Sequence, residues 1–150
     1  MAATAWAVHD NVMDLLGNKV IEFDTDSFIV ILGASASNMT TVATIDYYTN
    51  ITGELSSNFG YTQGTKALVD PAWTEATGTG KWDEAGADAI WTASGGSITA
   101  RKAAIYDDTV TSPQNDAVIC SSSLSSSDIT ATTGNTFTLA MNASGIFTVS

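Results

Sequence analysis

The residues capable of chemistry are few and scattered. His9 is the single histidine, so a serine-hydrolase triad would have to use it, with Asp10 beside it as the orienting carboxylate. No Gly-x-Ser-x-Gly elbow occurs anywhere, and without one no serine is marked as a nucleophile. Cys120 is the one cysteine, which excludes an internal disulfide. It lies in the small apolar run Ala117-Val118-Ile119-Cys120, where a thiol packs as a small hydrophobe. Gly78-Thr79-Gly80 lacks the third glycine of a dinucleotide-binding turn, and no P-loop lysine motif is present.

Carboxylates offer the next possibility. Asp107-Asp108 and Asp83-Glu84 are adjacent acidic pairs that could serve as the acid and base of a glycosidase. Neighbours of this kind more often form a solvated turn. Asp24, Asp26, Asp107 and Asp108 place hard oxygen donors in expected loops, the chemistry Ca²⁺ prefers, although no EF-hand glycine or glutamate accompanies them. Turn and capping roles are the simpler expectation for all four. Trp6, Trp73, Trp82 and Trp91 would suit carbohydrate stacking if two or more shared an exposed plane. In a small β-protein, core or subunit-interface positions are the commoner use of such rings. The expectation is a chain without enzymatic activity and without a cofactor.

Composition narrows the partners. The chain has 150 residues, enough for one domain that buries its own core. Sixteen Asp and Glu stand against five Lys and Arg, for a formal charge of −11. Phosphate contacts depend on Lys and Arg, so neither nucleic acid nor an anionic membrane surface is an expected partner. Ser and Thr make up about a quarter of the chain, which implies a hydroxyl-covered surface. No apolar run approaches the roughly 20 residues of a membrane span. The N-terminus has neither basic residues nor a long apolar region, so a secretory signal is not expected. The sequons at Asn38, Asn50 and Asn142 then carry no glycan.

The elements that must position these residues read mainly as β-strands. Ser27 to Leu32 is a continuous apolar, β-branched run ending at Gly33, the pattern of a strand buried on both faces. Further strands are expected at Ala5 to Val8, Thr65 to Val69, Ala72 to Glu75, Ala89 to Thr92, Ser97 to Tyr106, Ala117 to Ser122, Thr136 to Met141 and Ile146 to Val149. Pro71 marks an edge or a break. Asn142 to Gly145 reads as a tight hairpin loop joining the last two strands, and Ser121 to Ser127 as a flexible polar loop. Short helices are expected within His9 to Leu16 and Ile45 to Leu55. The fold class is therefore mainly β: a single antiparallel two-sheet sandwich or jelly-roll-like domain over residues 1–150, with residues 1–8 a possible N-terminal arm.

Several segments carry a resemblance. These are Trp91-Thr92-Ala93-Ser94-Gly95-Gly96-Ser97-Ile98-Thr99-Ala100-Arg101, Ala104-Ile105-Tyr106-Asp107-Asp108, Gly134-Asn135-Thr136-Phe137-Thr138-Leu139 and Asn142-Ala143-Ser144-Gly145-Ile146-Phe147. Together with Asp24-Thr25-Asp26-x-Phe28 and Gly60-Tyr61-Thr62-x-Gly64, they resemble a family of small virion-associated structural proteins of tailed bacteriophages and cyanophages. The resemblance implies a β-rich subunit made in a bacterial cytoplasm and assembled onto the outer surface of the head. It implies a decoration or cement role, with the major capsid protein and further copies of itself, by analogy a trimer, as partners. A tail- or fibre-associated subunit and a carbohydrate-binding β-sandwich module are the alternatives. Trp6 and Val8, in an arm that would order on binding, are the expected docking residues.

Overall fold

The computed structural model describes residues 6–84, 86–142 and 144–149. Among these, the order of elements is β1 (Ala7–Val8), α1 (Val12–Gly17), β2 (Phe28–Gly33), β3 (Lys66–Ala67), β4 (Pro71–Ala76), β5 (Thr79–Glu84), β6 (Ala89–Thr92), β7 (Ile98–Ala100), β8 (Lys102–Asp107), β9 (Ala117–Ser123), β10 (Ile129–Ala131), β11 (Thr136–Leu139) and β12 (Phe147–Val149). A 3-10 turn at Tyr48–Asn50 lies between β2 and β3. The protein is mainly β, a β-sandwich-like single domain of antiparallel sheets with one short helix among the described residues.

The apolar run Phe28 to Leu32 becomes β2 of a five-stranded sheet ordered β1-β9-β8-β2-β3, and all of β2 is buried. Alternation along the strand explains why. Phe28, Val30 and Leu32, with Ala103 and Ile105 of β8, face the main core. Ile29 and Ile31, with Ala104 and Tyr106, face a second, smaller core closed by Met39, Ile45, Tyr48 and Ile51 from the long segment after β2. Each face is thus covered without a helix layer, because that segment folds back over the sheet.

Three smaller sheets, β12-β5-β4, β11-β6 and β10-β7, cover the other side of the main core. They contribute Trp82, Trp91, Ile98, Ala100, Phe137, Leu139 and Phe147 to it. Trp82 is the hub: its ring centroid lies 4.8 Å from Phe28, 5.0 Å from Phe23 and 5.4 Å from Phe147.

Several sequence expectations change in detail. Ser97 to Tyr106 is two strands, since the chain leaves the β7–β10 pair and enters the five-stranded sheet at Arg101, whose guanidinium pairs with Asp128 at 3.0 Å. The last two strands do not form a hairpin: β11 pairs with β6 and β12 with β5. Ser121 and Ser122 belong to β9 and are buried, so the polar loop begins later than their side chains suggest. Pro71 does open an edge strand, β4, as its missing N–H requires. Of the expected N-terminal arm, residues 1–5 lie outside the described residues. Ala7 and Val8 are paired with Ser121 and Cys120, so the described part of that segment is a sheet strand.

Candidate functional site

The sole histidine finds a serine after all, though not one its neighbours in sequence point to. β1 runs alongside β9, and His9 follows β1, which brings its ring to Ser121, 112 residues away. His9 Nδ1 donates to the Ile45 carbonyl at 2.5 Å, and Nε2 accepts the Ser121 hydroxyl at 2.9 Å. A carbonyl can only accept, so Nδ1 carries a proton, and burial, which disfavours the charged ring, leaves Nε2 bare to accept. Burial lowers the His9 pKa, with the Ile45 carbonyl and the charges of Asp46 and Asp10 opposing it more weakly. The Ser–His hydrogen bond has the geometry of a nucleophile and its base. Its burial forbids that use: His9 is 1 % exposed and Ser121 1 %. The pair is a polar tie between the β1 segment, β9 and the 34–57 segment. A serine-directed fluorophosphonate should leave the mass of the folded protein unchanged, whereas a single adduct on Ser121 would show that the pair is reachable.

Cys120, next to Ser121 in β9, is fully buried, and burial pushes its thiol well above the ordinary range. It is a packing residue, as its apolar run suggests.

The acidic residues separate into individual roles. Asp107 ends β8 and Asp108 stands in the bend after it, and the two side chains part there, so they do not form one acid–base pair. Asp107 turns inward and is fully buried, and Asp108 is exposed. Asp83 pairs with Lys81 at 2.7 Å, while Glu84 accepts the Val69 N–H at 3.1 Å. Burial lifts the Glu84 carboxyl to about 7, against the pull of that N–H and with help from Asp88 and Asp83.

The four calcium candidates do not converge, and among the described residues no three ligand-type side chains could hold a metal ion. Backbone bonds account for three of them. Asp24 Oδ1 accepts the Trp73 N–H at 2.7 Å, securing edge strand β4. Asp26 Oδ2 accepts the Glu22 N–H at 2.6 Å. Asp107 Oδ1 accepts the N–H groups of Thr109 and Val110, closing the turn after β8. Asp26 and Asp107 nevertheless face each other, a proximity their spacing in the chain does not reveal.

The tryptophans form no exposed platform. Trp6, Trp82 and Trp91 are buried. Trp73 is half-buried, with Phe23 stacked at 5.2 Å and Gly80 so close that a Cβ there would strike the indole. The docking expectation for the N-terminal segment changes for the same reason. Trp6 is 6 % exposed and belongs to the subunit's own core, with half-buried Val8 packed against it. Among the described residues, the large apolar side chains left exposed are Met13, Phe59, Val69 and Ile90.

A cluster that the sequence did not announce surrounds Glu54. Its carboxylate accepts the hydroxyls of Tyr48 at 2.5 Å and Tyr61 at 2.7 Å and the Gly64 N–H at 3.2 Å, and the Tyr61 oxygen in turn accepts the Leu32 N–H. Burial, reinforced by Glu54, pushes both tyrosine hydroxyls up, so they remain protonated donors. This network ties the 54–64 segment to β2. Only the Gly60-Tyr61-Thr62-x-Gly64 pattern hinted at it.

An apolar groove of about 280 Å³ runs between β10 and β11 and is lined by Leu124, Ile129, Phe137 and Leu139 with threonines, without a titratable group. No family model, curated protein or solved structure matches the chain.

Proposed function

We propose that this chain is a structural subunit of a tailed-phage virion, a decoration protein that docks on the outer surface of the head and bridges copies of the major capsid protein. The observation that carries the reading is where the family-like residues lie. Trp91, Ile98, Ala100, Tyr106, Ile146 and Phe147 are all buried scaffold positions, and Gly145 adopts φ 99°, which a turn glycine supplies. The residues that carry the resemblance thus lie in the β-framework, which supports a subunit whose work is assembly.

The surface chemistry supports the same reading. A formal charge of −11 keeps free subunits apart and soluble before assembly and gives an outward face little affinity for DNA. Cementing follows from multivalency: a subunit, here an expected trimer, that touches several capsid proteins adds contacts that must break together. With Trp6 in the core, Met13, Phe59, Val69 and Ile90 are, among the described residues, the large apolar side chains open to a capsid partner.

Particles lacking the protein should release DNA at a lower temperature than complete ones, and added purified protein should restore the difference. Heads of unchanged heat stability would remove the cementing role.

A further inference from the structure

The Asp26–Asp107 pair lies where two parts of the sandwich meet. Phe28 is opposite Asp107 in the β2–β8 register, so Asp107 points to the main-core side, and next to Asp26 the Ser27 carbonyl accepts the Asp108 N–H at 2.8 Å while the Ser27 N–H donates to Thr109 Oγ1 at 2.8 Å, which brings Asp26 to Asp107 at one end of the large sheet. Asp107 is fully buried, its Oδ1 is occupied by the Thr109 and Val110 N–H groups, and its Oδ2 receives no hydrogen bond from a donor group. The titratable side chain facing it from a neighbouring element is Asp26. β2 presents Phe28, the turn after β8 presents backbone N–H groups, and Asp108 points away on the exposed side. Among the described residues the ion pairs are Lys81–Asp83 and Arg101–Asp128, so neither carboxyl has a cationic partner there.

We infer that Asp26 and Asp107 share one proton and form a pH-sensitive latch that holds the 22–27 loop, and through it the β12-β5-β4 sheet, against the five-stranded sheet. Two carboxylates in contact at a buried position cannot both stay ionised, and one proton between them turns repulsion into a hydrogen bond. Burial is the leading cause that raises the Asp107 pKa, with the two backbone N–H groups opposing it and Asp26 reinforcing it. The loop transmits the consequence. Phe23 stacks on Trp73 of β4 and against Trp82 of β5, and Asp24 holds the Trp73 N–H. Loss of the shared proton to solvent as pH rises through neutrality leaves two negative charges and pushes the loop, with its grip on β4 and β5, away from β8.

The test compares the unfolding midpoint of the full chain from pH 5 to pH 9, in EDTA and then with Ca²⁺ added, for Asp107→Asn, Asp26→Asn and the exposed control Asp108→Asn. Glu84 titrates in the same window, so Glu84→Gln serves as the common background. The Asp107→Asn side chain would keep the acceptor for Thr109 and Val110 and offer its amide to Asp26, imitating the protonated pair permanently. The background protein should lose roughly 5 °C as pH rises through neutrality, the size expected for one buried proton in a domain of this length. Asp107→Asn and Asp26→Asn should each flatten that slope, and Asp108→Asn should not. Amide exchange at Glu22, whose N–H donates to Asp26, should accelerate with pH beyond intrinsic base catalysis in the background protein and not in Asp107→Asn. If Asp107→Asn does not fold, the Asp26→Asn slope and the Glu22 exchange rate decide. An unchanged slope in the substituted proteins would overturn the latch. So would a Ca²⁺-dependent rise in the midpoint that Asp26→Asn or Asp107→Asn abolishes, because the pair would then hold a cation in place of the proton.

Discussion

Trp82→Ala should remove about 3–5 kcal/mol of stability, the largest loss from any single core position. The indole is fully buried and stands between Phe28 of the large sheet, Phe23 of the loop and Phe147 of the last strand. Truncation deletes ring contacts to Phe23 and Phe28, near one end of the sequence, and to Phe147, near the other, and leaves a cavity that none can fill without abandoning its own strand or turn. A domain of this size has about 5–15 kcal/mol in total, so the variant should unfold at far lower urea and lose most of its near-ultraviolet dichroism when warmed. Trp82→Phe keeps a ring in the cluster and should retain more than half of the lost stability. A cost under about 1 kcal/mol for Trp82→Ala would mean that the three small sheets are not packed through this ring.

His9→Ala comes second, and its effect should depend on pH. The substitution strips the Ser121 hydroxyl and the Ile45 carbonyl of their partner in a site closed to solvent, at about 1–3 kcal/mol for each group left unpaired. Because burial lowers the His9 pKa in the folded state, the unfolded chain takes up the proton first. Stability from the neutral ring is therefore fully present above the unfolded pKa of 6.5 and falls as the pH drops below it. Asp107, Glu84 and Asp116 have the opposite sign: their folded pKa values are raised, so their contributions are full below the unfolded carboxylate range and are lost as pH rises toward neutrality. The informative quantity is the difference between wild type and His9→Ala in urea midpoint, which should be widest at pH 8 and narrow toward pH 5. A difference independent of pH would show that His9 titrates as freely in the folded chain as in the unfolded one.

How much of the fold is legible depends on whether the cause is local. Phe28 to Leu32 announces a strand covered on both faces because every side chain is apolar and most are β-branched, and the structure has that strand. Phe137 and Leu139 alternate with Thr136 and Thr138, and the first pair is buried. β5 escapes a reading of this kind because Thr79 and Gly80 look like a continuation of the turn, and Trp82 is the one large apolar side chain of the strand, too little for its alternation with Lys81 and Asp83 to stand out; the partners β4 and β12 make it a strand. Asn142 to Gly145 suggests a final hairpin because it is a sound turn, but it connects strands of different sheets.

The site residues divide in the same way. Cys120 can be assigned from its neighbours, since a small apolar strand buries what it contains. Trp6 cannot, because an apolar residue near a terminus has the same sequence signature in a free arm and in a core. The contacts His9–Ser121 and Asp26–Asp107 are set by strand register and loop return, quantities no short window contains, and Glu54 meets Tyr61, seven residues on, only because the loop between them turns back.

The proposed place of the protein on the outside of a phage head is tested most directly by a cryo-electron microscopy map of the particle that encodes it. Density for this β-sandwich is expected at regular positions on the outer head surface, each copy touching more than one major capsid protein, with the buried Trp6 turned into the subunit and away from the capsid. A map in which the subunit is absent from the particle, or occurs only on the tail or its fibres, would contradict it.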